Sequence, residues 1–182
     1  MNSYRTEGII LKRTNYGEAD RILTVFTKHF GKISVIARGI RRISSKRGGN
    51  LELFNQVKIS LTKGKNLDIV TEAEVINSFK DWRDNLKKVA VAYRLCELVD
   101  KLTAERVESK EVYKLLINYL SNLSSITNYY LLITNFELSL LQYLGFWPKG
   151  KAVNIDLDAY VENLIDRKLF AKKFLAKVSQ VE

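Results

Sequence analysis

Near residue 80 the spacing of apolar side chains changes, and that change limits what this chain can become. Upstream, Leu51, Leu53, Val57, Ile59 and Leu61 fall on alternate positions, with Glu52, Gln56, Lys58 and Ser60 between them. That is the period of a strand buried on one face. From residue 81 onward, Trp82, Leu86, Val89, Tyr93 and Cys96 recur at intervals of four and three, which makes a helical stripe. One layer of structure cannot satisfy both periods. The chain therefore reads as an α+β protein: a β domain over residues 1–80 and an all-α domain over 81–182.

Within the first part, residues 4–13, 21–27, 33–40 and 67–75 join the alternating run as β-branched-rich strands. Gly17, Gly31 and the Lys63-Gly64-Lys65-Asn66 connection supply the turns. Five short strands of this kind predict a small closed or nearly closed barrel. In the second part, Asp81 is expected to cap the first helix, with Asp84 near its positive end. A second helix is expected from about Ser109 and a third over 127–144, stopping at Gly145 before the sole proline, Pro148. Residues 149–157 read as a linker and 158–178 as one last helix.

Charge separates the two parts further. Residues 1–80 hold 15 Lys and Arg against 7 Asp and Glu, a net of +8, whereas residues 81–182 hold 15 against 13, a net of +2. The excess peaks between residues 38 and 50, where Arg38, Arg41, Arg42, Lys46 and Arg47 occur with no acidic residue. Five mutually repelling cations cannot build a core, so this segment is expected to be a positive loop that meets a polyanion. Arginine suits phosphate because it stays charged and binds in bidentate fashion. Lys12, Arg13, Arg21, Lys28, Lys32, Lys63 and Lys65 extend the candidate track. Tyr16, in a polar turn, is the candidate base-stacking residue, a contact of ~1–3 kcal/mol per base; Phe26 and Phe54 are assigned to the core.

The single cysteine, Cys96, allows neither an internal disulfide nor a thiolate zinc cage, so no cofactor is expected. Arg5 and Glu7 interrupt any apolar leader, and no apolar run of transmembrane length occurs. The expectation is a soluble, cytoplasmic protein. Lys110 and Lys114 flank a helical apolar stripe containing Leu116 and Phe136, a candidate groove for a partner's acidic peptide. No nucleophile accompanies His29, and no G-x-x-x-x-G-K-[ST] loop is present, so the chain is not expected to be an enzyme. Two rivals remain open: an RNA-binding barrel protein of translation or ribosome assembly, and a metal-dependent nuclease built on Asp156 and Asp158, although Asp158 also reads as a helix cap.

Two strings carry a resemblance. EGIILKRTNYGEADRILTVFTKHFGKISVIARGIRR at residues 7–42 and FELSLLQYLGF at 136–146, with the basic loop, Gly48, Gly49 and Leu53-Phe54 between them, resemble the RecO family of bacterial recombination mediators. The resemblance covers about the first 150 residues. It implies an N-terminal OB-fold barrel followed by a helical domain. It further implies binding to single- and double-stranded DNA, annealing of complementary strands, and help in loading recombinase onto strands coated by single-strand-binding protein. The implied partners are RecR and the acidic tail of single-strand-binding protein, in the nucleoid-associated cytoplasm. Many members carry a four-cysteine zinc module after the Leu-Gly-Phe helix; here residues 147–160 contain no cysteine and the chain is short for the family. Thr134 and Asn135 also stand where basic residues are expected.

Overall fold

The computed structural model describes residues 3–43, 45 and 48–179. Its strands are β1 (Ser3–Tyr16), β2 (Asp20–Thr27), β3 (Gly31–Ala37), β4 (Gln56–Thr62) and β5 (Asp68–Asn77). They close into a barrel in the order β1-β2-β3-β5-β4. All pairings are antiparallel except β3 with β5, which is parallel and limited to Val35 and Ile36. This five-stranded closure is the OB-fold. β1 is long enough to serve two neighbours: its first half pairs with β4, its second with β2, and the register slips between Ile10 and Lys12. Such a bulge bends the strand and lets it pass from one neighbour to the next.

Inward-facing Ile10, Leu23, Val25, Ile33, Val35, Val57, Ile59, Leu61 and Val70 fill the barrel. The strand expected from Leu51 begins only at Gln56. Phe54 sits at φ 69°, a left-handed conformation that ends strand geometry, and the chain turns there. Leu51 keeps its inward position all the same and, with Ile40, joins the core. Residues 38–40, expected to continue β3, form a turn instead.

Because β5 reaches β3 only at Val35 and Ile36, the edge at Gly31–Ser34 would stand open, and unpaired edges invite aggregation. A downstream segment covers it. Glu105 bridges to Lys32, and the Arg106 N–H donates to the Lys32 carbonyl at 2.8 Å. Gly31, at φ 61°, passes so close to Val107 that a Cβ would lie 2.0 Å from its carbonyl oxygen. Ala104–Tyr113, which the hydrophobic period places among the helices, therefore belongs to the same compact unit as Met1–Phe79. The second unit comprises Lys80–Thr103 and Lys114–Glu182.

The helices are α1 (Leu86–Leu102), α2 (Lys110–Asn122), α3 (Tyr129–Tyr143), α4 (Leu157–Ile165) and α5 (Phe170–Ser179). The cap of α1 is Asn85, which accepts from the Lys88 N–H, while Asp81 and Trp82 lie in a preceding 3-10 turn. The expected α1 stripe is also displaced. Leu86 is exposed, and the buried positions run through Ala90, Val91, Arg94, Leu95, Leu98 and Val99. A helix packed on several sides buries more than one stripe. α3 ends as expected: Gly145 at φ 80° leads into N–H bonds from Gly145 to Gln142 and from Phe146 to Leu141, the Schellman pattern. The single last helix becomes two. Asp166, at φ 50°, turns the chain between α4 and α5, and the Glu162 carboxylate accepts from the Leu169 N–H beyond it.

Candidate nucleic-acid interface

The barrel's two ends differ in how their charges are used. At one end, Tyr16 pairs with Asp20 and Arg21 with Ala37, so the β1–β2 turn and the exit of β3 lie together. Three hydrogen bonds fasten the basic loop onto that turn. The Arg41 N–H donates to the Ala19 carbonyl at 2.9 Å, its Nη1 donates to the Gly17 carbonyl at 3.2 Å, and the Gly39 N–H donates to Asp20 Oδ1 at 2.7 Å. These bonds seat Gly39–Arg41 on the β1–β2 hairpin. Two successive turns follow, from Gly39 to Arg42 and from Arg42 to Ser45.

Lys12, Tyr16, Arg38, Arg41 and Arg42 are all exposed here, Tyr16 by 56%. Among the described residues, no carboxylate lies within ion-pair distance of Lys12, Arg41 or Arg42. Arg13 and Arg21 are used differently. Both reach Glu52, Arg21 at 3.7 Å, so their charge is partly answered within the protein. Lys46 and Arg47 lie outside the described residues. Phe26 and Phe54 are buried, as the core assignment expects.

At the other end, Ser3 pairs with Thr62, which places the β4–β5 connection beside the start of β1, away from Tyr16. Lys63 there belongs to an internal cluster. Tyr4 donates to Asp68 at 2.6 Å, Lys63 reaches the same carboxylate at 3.2 Å, and Arg106 lies 3.7 Å from it. Burial pushes Asp68 up, but the Tyr4 hydroxyl and Lys63 hold its carboxyl below the usual range, while burial and Asp68 push the Tyr4 phenol up. Lys28 pairs with Glu7 at 3.4 Å, His29 with Glu108 at 3.6 Å, and Lys110 with Glu108 at 3.5 Å. Lys32 is buried. Lys65 is exposed at this end, apart from the arginine loop. The candidate track thus divides into two sets of cations. In the set around Tyr16 the cations Lys12, Arg41 and Arg42 stand exposed, whereas Lys28, Lys63 and Lys110 of the other set pair with carboxylates.

In the helical unit, Leu116 and Phe136 are fully buried. They cannot line a groove open to a peptide, which corrects the candidate assignment: a helix facing neighbours on both sides buries the very stripe that reads as a docking face. Lys110 and Lys114 are exposed. A cavity of about 680 Å³ is lined by Arg94, Tyr130, Thr134, Glu137, Asp158 and Lys172 among others. Its cations are engaged: Arg94 contacts both Glu137 and Asp158, and Lys172 reaches Asp158 at 2.9 Å. Asn135 lines a second hollow, of about 450 Å³, with Asn118, Asn122 and Asn128. The carboxylates proposed for a nuclease are structural in use. Asp156, rather than Asp158, caps α4, accepting from the Ala159 N–H at 3.3 Å, while Asp158 holds Arg94 and Lys172. No group of three or more His, Cys, Asp or Glu suited to a metal occurs among the described residues. Cys96 is buried, and burial pushes its thiol up, so this donor set does not fit a zinc module.

Sequence comparison fits this architecture. The family model described as "Recombination protein O N terminal" matches residues 1–79, and "Recombination protein O C terminal" matches 83–151. A protein of Roseiflexus sp. (strain RS-1) is 38% identical over 146 residues, covering 80% of this chain and 51% of its own length. Proteins of Dehalococcoides mccartyi (strain 195) and Acetivibrio thermocellus are each 36% identical, covering 81% of this chain and 58% and 59% of their own lengths. All three bear the name DNA repair protein RecO. The chain spans between half and three-fifths of the length of these relatives. With a closed β1-β2-β3-β5-β4 barrel followed by helices, and both halves matched in order, the chain belongs to the RecO family.

Proposed function

We propose that this chain acts in DNA repair as a non-enzymatic mediator that binds single- and double-stranded DNA and anneals complementary strands. The observation that carries this reading is the exposed group of Lys12, Arg41 and Arg42 beside Tyr16, with the Arg41 backbone and side chain bonded to the β1–β2 turn. Phosphate neutralisation by this end of the barrel lowers the repulsion between two strands, and base pairing then supplies the driving force. No nucleotide hydrolysis is needed. Family membership supports the further roles: loading of recombinase onto strands coated by single-strand-binding protein, with RecR and the acidic tail of that protein as partners, in the cytoplasm at the nucleoid. No described helix is long and apolar enough to cross a membrane.

Salt dependence tests the core of the proposal. Affinity for single strands should fall with a log–log slope near about −0.7 per phosphate contact. Arg41→Ala with Arg42→Ala should flatten that slope by about one to two contacts' worth; an unchanged slope removes the loop from the mechanism. Equal-length RNA titrated alongside separates this reading from an RNA-binding one.

A further inference from the structure

The basic loop carries two isoleucines three residues apart, and the fold treats them in opposite ways. Ile40 turns inward and is 4% exposed, sealing the barrel with Leu51. Ile43 is wholly exposed, at 108%, the most exposed of the large apolar side chains among the described residues. A β-branched side chain held in water gains nothing for folding, and it is stiff at χ1. It does not sit on a stray tail either. The turn from Arg42 to Ser45 is closed by a 2.9 Å hydrogen bond, and the loop before it is bonded to the Ala19 and Gly17 carbonyls. Arg41 and Arg42 immediately precede Ile43 and are exposed like it, and Tyr16 is exposed at the end of the hairpin to which Arg41 is bonded.

We propose that Ile43 is a wedge that inserts between adjacent bases of DNA, with Arg41 and Arg42 holding the flanking phosphates. The occupant follows from complementarity: an exposed β-branched apolar tip, stiff at χ1 and directly preceded by two exposed arginines, matches apolar base faces beside phosphates. Architectural DNA-binding proteins insert Ile, Leu or Phe between base steps in this way, unstacking them at a cost that bound phosphates offset. The step taken is the one easiest to open, such as a pyrimidine–purine step or the neighbour of a mismatch. In an annealing protein the wedge would loosen incorrectly stacked bases so that pairing can be retried. This inference rests on the DNA-binding reading above and adds a specific residue and action to it.

The test uses the full chain and a 20-base-pair duplex, of roughly twice the span of one helical turn, carrying 2-aminopurine beside a single mismatch. Wild-type protein should raise 2-aminopurine fluorescence on binding, because the base is unstacked. Ile43→Ala and Ile43→Ser should abolish the rise and weaken mismatch binding roughly tenfold, the order associated with one aliphatic side chain, yet keep the salt slope and melting temperature of the wild type. Ile43→Leu should retain the rise. Arg41→Ala with Arg42→Ala should flatten the salt slope instead. If Ile43→Ala binds with the same slope and still unstacks the base, the wedge is overturned while the DNA-binding reading stands. If wild-type protein binds neither strand form at low salt, both fall.

Discussion

At the scale of single residues, two positions show how tightly local geometry is tied to the fold. Gly31 is one: its φ of 61° disfavours any side chain, and the Val107 carbonyl would lie 2.0 Å from a Cβ. The left-handed conformation alone costs a non-glycine residue about 1–2 kcal/mol, and the clash adds the displacement of the covering segment. Gly31→Ala should therefore lower unfolding stability by more than this amount, and amide exchange at Lys32–Ser34 should accelerate; unchanged protection there would contradict the covering role. Glu137 is the other. Burial pushes its carboxyl up to about 7, against the pull of Arg94, with Asp158 adding to the rise. From the ordinary carboxylate range to about 7 the folded state holds a proton that the unfolded chain has released. Stability must therefore fall as pH rises through that window. Glu137→Gln should flatten this fall in denaturant titrations run from pH 4.5 to 7.5 (chosen to bracket the shift). Arg94→Met, which leaves the buried Glu137 carboxyl without its guanidinium partner, should instead cost about 3–5 kcal/mol.

At the scale of elements, the β1–β2 hairpin and the loop that follows β3 make one device. The hairpin supplies the Gly17 and Ala19 carbonyls and the Asp20 carboxylate, and the loop docks on them. Glu52 limits the device's charge by engaging Arg13 and Arg21. Removing that carboxylate should strengthen a function rather than damage it. Glu52→Gln is expected to tighten single-strand binding several-fold and to steepen the salt slope by up to about 0.7 for each arginine released to phosphate. Weaker binding in this variant would show that Glu52 positions the arginines instead of restraining them. Lys63 offers the contrast: tied to Asp68 at 3.2 Å, it should contribute to barrel stability, and Lys63→Ala should leave the salt slope as it is.

At the scale of the whole molecule, the chain leaves the barrel after residue 79 and contributes to it again at Ala104–Tyr113. Cutting at the apparent domain boundary would remove the cover from the β3 edge. A fragment of residues 1–79 should therefore self-associate in light scattering and show weaker amide protection at Gly31–Ser34 than the full chain. A monomeric fragment with native protection would make the covering segment dispensable. The helical unit is bound by a different device: the Arg94 guanidinium joins α1 to Glu137 of α3 and Asp158 of α4, and Lys172 of α5 reaches Asp158. Four helices thus meet through one chain of charges.

How much of this was legible beforehand follows from the range of the forces involved. The alternation along Val57–Leu61 and the glycines at turns depend on near neighbours, so the barrel, its strand count and the end of α3 at Gly145 could be read from the amino-acid order. The cluster of cations free of acidic residues marked the loop for the same reason, since an arginine keeps its charge in almost any surroundings. Pairing does. Which carboxylate answers Arg13 or Lys63, whether Leu116 and Phe136 face a groove or the core, and that residues 104–113 complete the barrel all depend on residues distant in sequence. Ile40 and Ile43 state the difference most plainly: the same side chain in the same loop, one buried and one in water, separated only by how the chain folds back on β1 and β2.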